Sequence, residues 1–84
     1  MVSQQRKAWA TLVIDGRACG ARQECQLVID LDDGVMTMHA DKVMMFPTDR
    51  AGDGWIKFRD QHGNYLSSIH VGKVTRGHHV RFDK

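Results

Sequence analysis

The stretch Cys25–Ala40, CQLVIDLDDGVMTMHA, is where turn chemistry and side-chain alternation agree residue by residue. Asp33-Gly34 tolerates the positive φ angles of a two-residue hairpin turn, and apolar runs flank it on both sides. With those two residues as the loop, Asp32 faces Val35, Leu31 faces Met36, Asp30 faces Thr37, Ile29 faces Met38, Val28 faces His39 and Leu27 faces Ala40. Leu27, Ile29, Leu31, Met36, Met38 and Ala40 then form one wholly apolar face. Asp30, Asp32, Thr37 and His39 lie opposite with two valines, the pattern of a hairpin with one buried and one wet side. A one-residue slip would turn the apolar row to water, so the register is well specified.

Upstream, Asp15-Gly16 is a second tight-turn dipeptide. It predicts a strand from about Lys7 to Ile14 folding back on Arg17 to Ala21, with Leu12 opposite Cys19 and Ala10 opposite Ala21. A short N-terminal helix capped by Ser3 is the competing reading of the first residues. Arg22 to Glu24 reads as a polar link, and MVSQQRK as a weakly ordered start.

Downstream, Val43 to Phe46 reads as a buried or edge strand that Pro47 ends. Met44 and Met45 cannot both face the core of a regular strand, so one of them is expected at the surface. Thr48 to Gly54, TDRAGDG, has no apolar periodicity and is the expected mobile loop. Trp55 to Arg59 alternates, with Ile56 and Phe58 on one face and Trp55, Lys57 and Arg59 on the other. A turn at DQHGN leads to a strand over Tyr65 to Val71. His78 to Asp83 closes the chain with Val80 and Phe82 inward and His79 and Arg81 outward.

Six to eight short strands joined by tight turns predict an all-β fold, a small antiparallel β-barrel or a two-layer sandwich. A terminal strand pairing with the first would remove exposed edges, which favours the barrel. Eighty-four residues make a single domain with a small core.

The formal charge of +2 is too small to imply a nucleic-acid partner by itself. The positive charge is concentrated late: six Lys or Arg from Lys57 onward stand against Asp60 and Asp83. Two cysteines, Cys19 and Cys25, do not make a disulfide framework, and no apolar run suits a signal peptide or membrane span. The expectation is a cytoplasmic protein without a membrane role.

The outward row Trp55, Lys57 and Arg59, extended by His79 and Arg81 if the last strand lies nearby, is the candidate functional surface. Cations attract phosphates and an indole can stack a base. The bland alternative is a solvated strand face with a tryptophan packed over a barrel end.

The histidines His62, His70, His78 and His79 lack metal-ligand spacing, since adjacent strand residues point to opposite faces. The cysteines lack a CxxC pair. Met36 and Met38, with Cys25 and His39, are read as gap-filling core and surface residues rather than soft-metal ligands. DLDDG departs from a calcium loop, with glycine fifth rather than sixth. The segment DLDDGV, residues 30–35, resembles the DxSxxG motif of PilZ barrels over six residues, but it lacks the serine and its glycine is one residue early. No nucleotide-binding role follows from it.

No phosphate loop, dinucleotide fingerprint, nucleophile elbow or HExxH is present, and no cofactor is expected. The leading functional expectation is a non-enzymatic interaction module, acting through protein–protein contacts with itself as a homo-oligomer or with a partner. Nucleic-acid binding through the basic aromatic face is the alternative. A small-molecule site at a barrel mouth or subunit interface, near TDRAGDG, is the third.

Overall fold

A computed structural model describes residues 2–83, with side chains from residue 3. It is all-β, with seven strands: β1 Val2–Ile14, β2 Arg17–Asp32, β3 Val35–Ala40, β4 Met44–Pro47, β5 Gly52–Arg59, β6 Tyr65–Val74 and β7 His79–Phe82. Five of them form a curled antiparallel sheet in the order β3-β2-β1-β5-β6, a half-barrel, and β4 and β7 form a separate two-stranded sheet.

Both tight turns form where the dipeptides place them. Asp15 and Asp33 each adopt φ of 50°, followed by Gly16 and Gly34 at 78° and 75°, the doubly left-handed geometry that matches strand twist. The β2–β3 register is the one read from the sequence, Asp32 with Val35 through Leu27 with Ala40.

The core lies between the inner face of the half-barrel and the small sheet. Ala8, Ala10, Leu12 and Ile14 of β1 and Ile56 and Phe58 of β5 are fully buried. Met44, Phe46 and Phe82 close over them from the small sheet, with the rings of Phe58 and Phe82 5.2 Å apart. Alternation on β4 and β7 follows the expected pattern, with Met44 buried and Met45 exposed.

Several expectations are corrected. No helix forms at Ser3 to Lys7; these residues extend β1, which pairs with the far half of β2 as far as Val2 opposite Leu31. Arg22 to Glu24 is no link, because β2 runs unbroken through 16 residues. Ala10 pairs with Gln23 rather than Ala21. A bulge between Ala10 and Leu12 inserts extra β2 residues around Gly20, while Leu12 still faces Cys19 as expected. The last strand does not close a barrel onto the first, since β7 pairs only with β4.

β6 carries two further irregularities. Its core-facing residues Leu66, Ile69, Val71 and Val74 are spaced three, two and three apart, which strict alternation forbids. Register shifts opposite Phe58/Arg59 and Gly54/Trp55 each insert one β6 residue, Leu66 and Val71, and bring all four onto the core.

The TDRAGDG segment is a tied loop. The Thr48 hydroxyl, in a residue only 6% exposed, lies against the carbonyls of Thr75 at 2.5 Å and His78 at 2.8 Å and accepts from the His78 N–H at 3.1 Å. Arg50 reaches across to the β1–β2 turn, donating to the carbonyls of Ile14, Arg17 and Ala18 at 3.3, 2.6 and 3.3 Å. Residues from Gly52 onward already belong to β5.

Candidate functional surfaces

β5 places Trp55, Lys57 and Arg59 on the outer face of the half-barrel, because Ile56 and Phe58 between them are buried inward. Cross-strand pairing sets Trp55 against Val13 and His70, Lys57 against Thr11 and Ser68, and Arg59 against Trp9. The candidate triplet is thus brought together, with a second indole beside it.

Both indoles are engaged by neighbours of their own chain. Trp55 is 38% exposed; its ring lies 4.6 Å from that of His70, and its Nε1–H donates to Asp53 at 3.2 Å. Asp53 also meets His70 Nε2 at 2.7 Å, and that bond holds its carboxyl below the ordinary range. Trp9 carries Lys7 and Arg22 over its ring at 5.6 and 5.7 Å, near the limit of a cation–π contact. Lys7 is meanwhile paired with Glu24 at 2.8 Å, and Arg59 donates to the Gly63 carbonyl. Carboxylates lie among these cations, Glu24 paired with Lys7 and Asp15 and Asp53 lining one groove with Trp55 and Lys57, and offset their charge locally.

His79 and Arg81 are not part of this face. They sit on β7 in the small sheet, on the side opposite Val80 and Phe82, and Phe82 packs on the inward side of β5. Arg81 donates to Asp83 at 2.6 Å. The candidate set therefore divides into two surfaces on opposite sides of the core.

Open grooves border the tied loop, two of them beside Asp53. One, of about 380 Å³, is lined by Asp15, Asp53, Trp55, Lys57 and Ser68; the other, of about 520 Å³, is lined by Ala51, Gly52, Lys73 and Val74 among others. His70 and Asp53 form an acid–imidazole pair at the first groove, but the Ser68 hydroxyl is bonded to the Tyr65 hydroxyl at 2.9 Å rather than to His70. Among the described residues no three His, Cys, Asp or Glu side chains converge on one point. Both cysteines are free and buried.

The β2–β3 hairpin holds a surface that alternation alone assigns to the core. Its apolar face is buried only at its base, where Leu27 and Ala40 are covered. Toward the tip Ile29 and Met38 are half-buried, and Leu31 and Met36 are 47% and 56% exposed, with Val35 on the other face at 61%. The cause is length: β2 runs past the end of the core, and the four-residue strands β4 and β7 leave its inner face uncovered beyond Leu27. Val28, on the expected wet face, is buried instead.

β3 is also a free edge of the half-barrel. The other edges carry the features that discourage strand addition. β6 has two bulges and Lys73; the part of β1 beyond β5 carries Arg6 and Lys7; β4 ends in Pro47; and β7 is four residues long with Arg81 outward. β3, VMTMHA, has no Lys, Arg, Pro, Gly or bulge.

The fold and these surfaces define a small all-β half-barrel with an unprotected apolar edge. No family model matches the chain, and comparison with curated proteins and with solved structures yields no match. No helix among the described residues is long and apolar enough to cross a membrane.

Proposed function

We propose that the protein is a non-enzymatic interaction module, working in the cytoplasm, that presents the β2–β3 hairpin to another polypeptide, either a copy of itself or a partner. The observation that supports it is the uncovered row of Leu31 and Met36, continued by half-buried Ile29 and Met38 on the same face, beside the open edge of β3. Isolated exposed apolar residues are ordinary, but a contiguous apolar strip beside unpaired strand groups is the chemistry of strand addition. The ladder supplies main-chain hydrogen bonds and the strip supplies apolar burial. Selection from displayed extended peptides tests the reading. Binders that lose at least tenfold affinity for Met36→Lys but not for Trp55→Ala support it. It fails if binding ignores Met36 and the protein does not self-associate through this edge.

A second reading, nucleic-acid binding, is favoured by Trp55, Lys57 and Arg59 sharing one outward face. It requires single strands to bind at low salt, to weaken as counterion concentration rises, and to be lost in Trp55→Ala and Arg59→Ala. The self-engagement of both indoles and the interspersed carboxylates place it second.

A further inference from the structure

We propose that a second copy of this chain is the partner, docked by antiparallel pairing of β3 with β3 across a two-fold axis at Thr37. The inference rests on the reading of β3 as an interaction edge and specifies its occupant and register.

In an antiparallel ladder the backbone groups of successive residues point alternately toward and away from the neighbouring strand. The end of β3 sets the phase. The Asp41 N–H donates back to the Gln26 carbonyl of β2, whereas the Ala40 N–H points away and donates to the Asp83 carbonyl at 3.3 Å. Counting back, Met38 and Met36 also direct their N–H and C=O groups away from β2, onto the open edge. Ala40 is already occupied, so Met36 and Met38 are the groups available for pairing.

The sequence Met36-Thr37-Met38 reads the same in both directions, so a two-fold axis at Thr37 matches like with like. Met36 then exchanges two hydrogen bonds with the partner's Met38, and Met38 two with the partner's Met36. An axis at Met36 would set Met38 against the partner's Gly34, inside a turn. An axis at Met38 would set Met36 against the partner's Ala40, whose N–H is taken. Only the Thr37 axis uses every free group.

The side chains agree with that register. On the inner face Leu31, Met36, the partner's Met38 and the partner's Ile29 fall in one row, covering the apolar overhang that the small sheet leaves open. On the outer face Thr37 meets the partner's Thr37, and Val35 meets the partner's His39, so no like charges oppose within β3. Isologous interfaces require this self-complementarity, and the two five-stranded sheets join into one.

Sedimentation equilibrium from about 5 to about 500 µM brackets the affinity expected of a small interface. It should show a concentration-dependent dimer for the native chain and a monomer with an unchanged far-ultraviolet spectrum for Met36→Lys. Register is read by oxidative cross-linking. Thr37→Cys places two thiols across a directly opposed pair, whereas two Val35→Cys thiols stand about 14 Å apart along the strands. Rapid covalent dimer from Thr37→Cys and little from Val35→Cys is the expected result. A native chain that stays monomeric, or cross-linking no faster at residue 37 than at 35, overturns the proposal. If that monomer still binds selected peptides through Met36, the interaction reading stands and only the two-fold pairing falls. If it binds none, both fall.

Discussion

Thr48 and Arg50 sit in a stretch whose Asp, Gly and Arg content reads as solvent-exposed loop, yet each holds distant backbone in place. The single Thr48 hydroxyl serves three backbone groups of residues 75 and 78. Thr48→Val keeps its shape and removes those bonds, while the backbone bonds between Thr48 and His78 and between His78 and Thr75 remain, and should cost about 0.5–1.5 kcal/mol in urea unfolding with the slope unchanged. Arg50 forks over three carbonyls and is steadied by Asp49, which also accepts from the Cys19 thiol at 3.1 Å. Arg50→Ala should lower stability by about 1–2 kcal/mol, and Arg50→Lys should recover only part, because an ammonium lacks the planar fork. Gly52 is a third fixed point. Its φ is +153°, and an added Cβ would stand within 3 Å of Ile14 Cγ2 as well as of the Asp15 carboxylate, so Gly52→Ala should cost about 1–3 kcal/mol. None of these roles was legible in the sequence, because each depends on which distant backbone and side-chain groups the fold brings beside the residue.

At the scale of elements, the β2–β3 hairpin separates what alternation reveals from what burial decides. Leu27 and Leu31 lie on the same face, four residues apart, and are equivalent by periodicity. The structure buries the first completely and leaves the second 47% exposed. Leu27→Ala should therefore destabilise by about 2–5 kcal/mol, whereas Leu31→Ser should change monomer stability by about 0.5 kcal/mol or less. Equal costs for the two substitutions, measured at dilution, would contradict the overhang. The turn dipeptides and the facing of β5 and β7 were legible because dihedral demand and alternation are local. The bulges near Gly20 and in β6 were not, since an inserted residue is recognised only when the partner strand fixes the register on either side.

Across the whole molecule, stability should respond to acid through carboxylates on the surface. Asp30, Asp49, Asp53 and Asp60 all titrate below their ordinary range, held down chiefly by hydrogen bonds from Ser3, the Cys19 thiol, His70 and the Asn64 backbone respectively. As pH falls from about 4 the unfolded chain takes up protons at these groups before the folded chain does, so the equilibrium shifts toward unfolding. Their contribution is fully present above about pH 4 and is lost as pH drops through the lower folded values. Urea midpoints should fall across that window, and less steeply for Asp53→Asn. At the alkaline end burial pushes the Cys25 thiol up, so its contribution is present below the ordinary thiol range and is lost as pH rises through the higher folded value.

The sequence by itself determined the all-β class, both two-residue turns, the register of the central hairpin and the common outward face of Trp55, Lys57 and Arg59. These follow from φ preferences and the two-residue period of a strand, which act between near neighbours. Only the tertiary structure decided that the sheet stops at a half-barrel, that His79 and Arg81 lie across the core from Trp55, and that the tip of the apolar hairpin is uncovered. The first two follow from β7 pairing with β4 rather than with β1, and the third from a 16-residue strand outrunning the two four-residue strands that cover it, relations in space that no local pattern encodes.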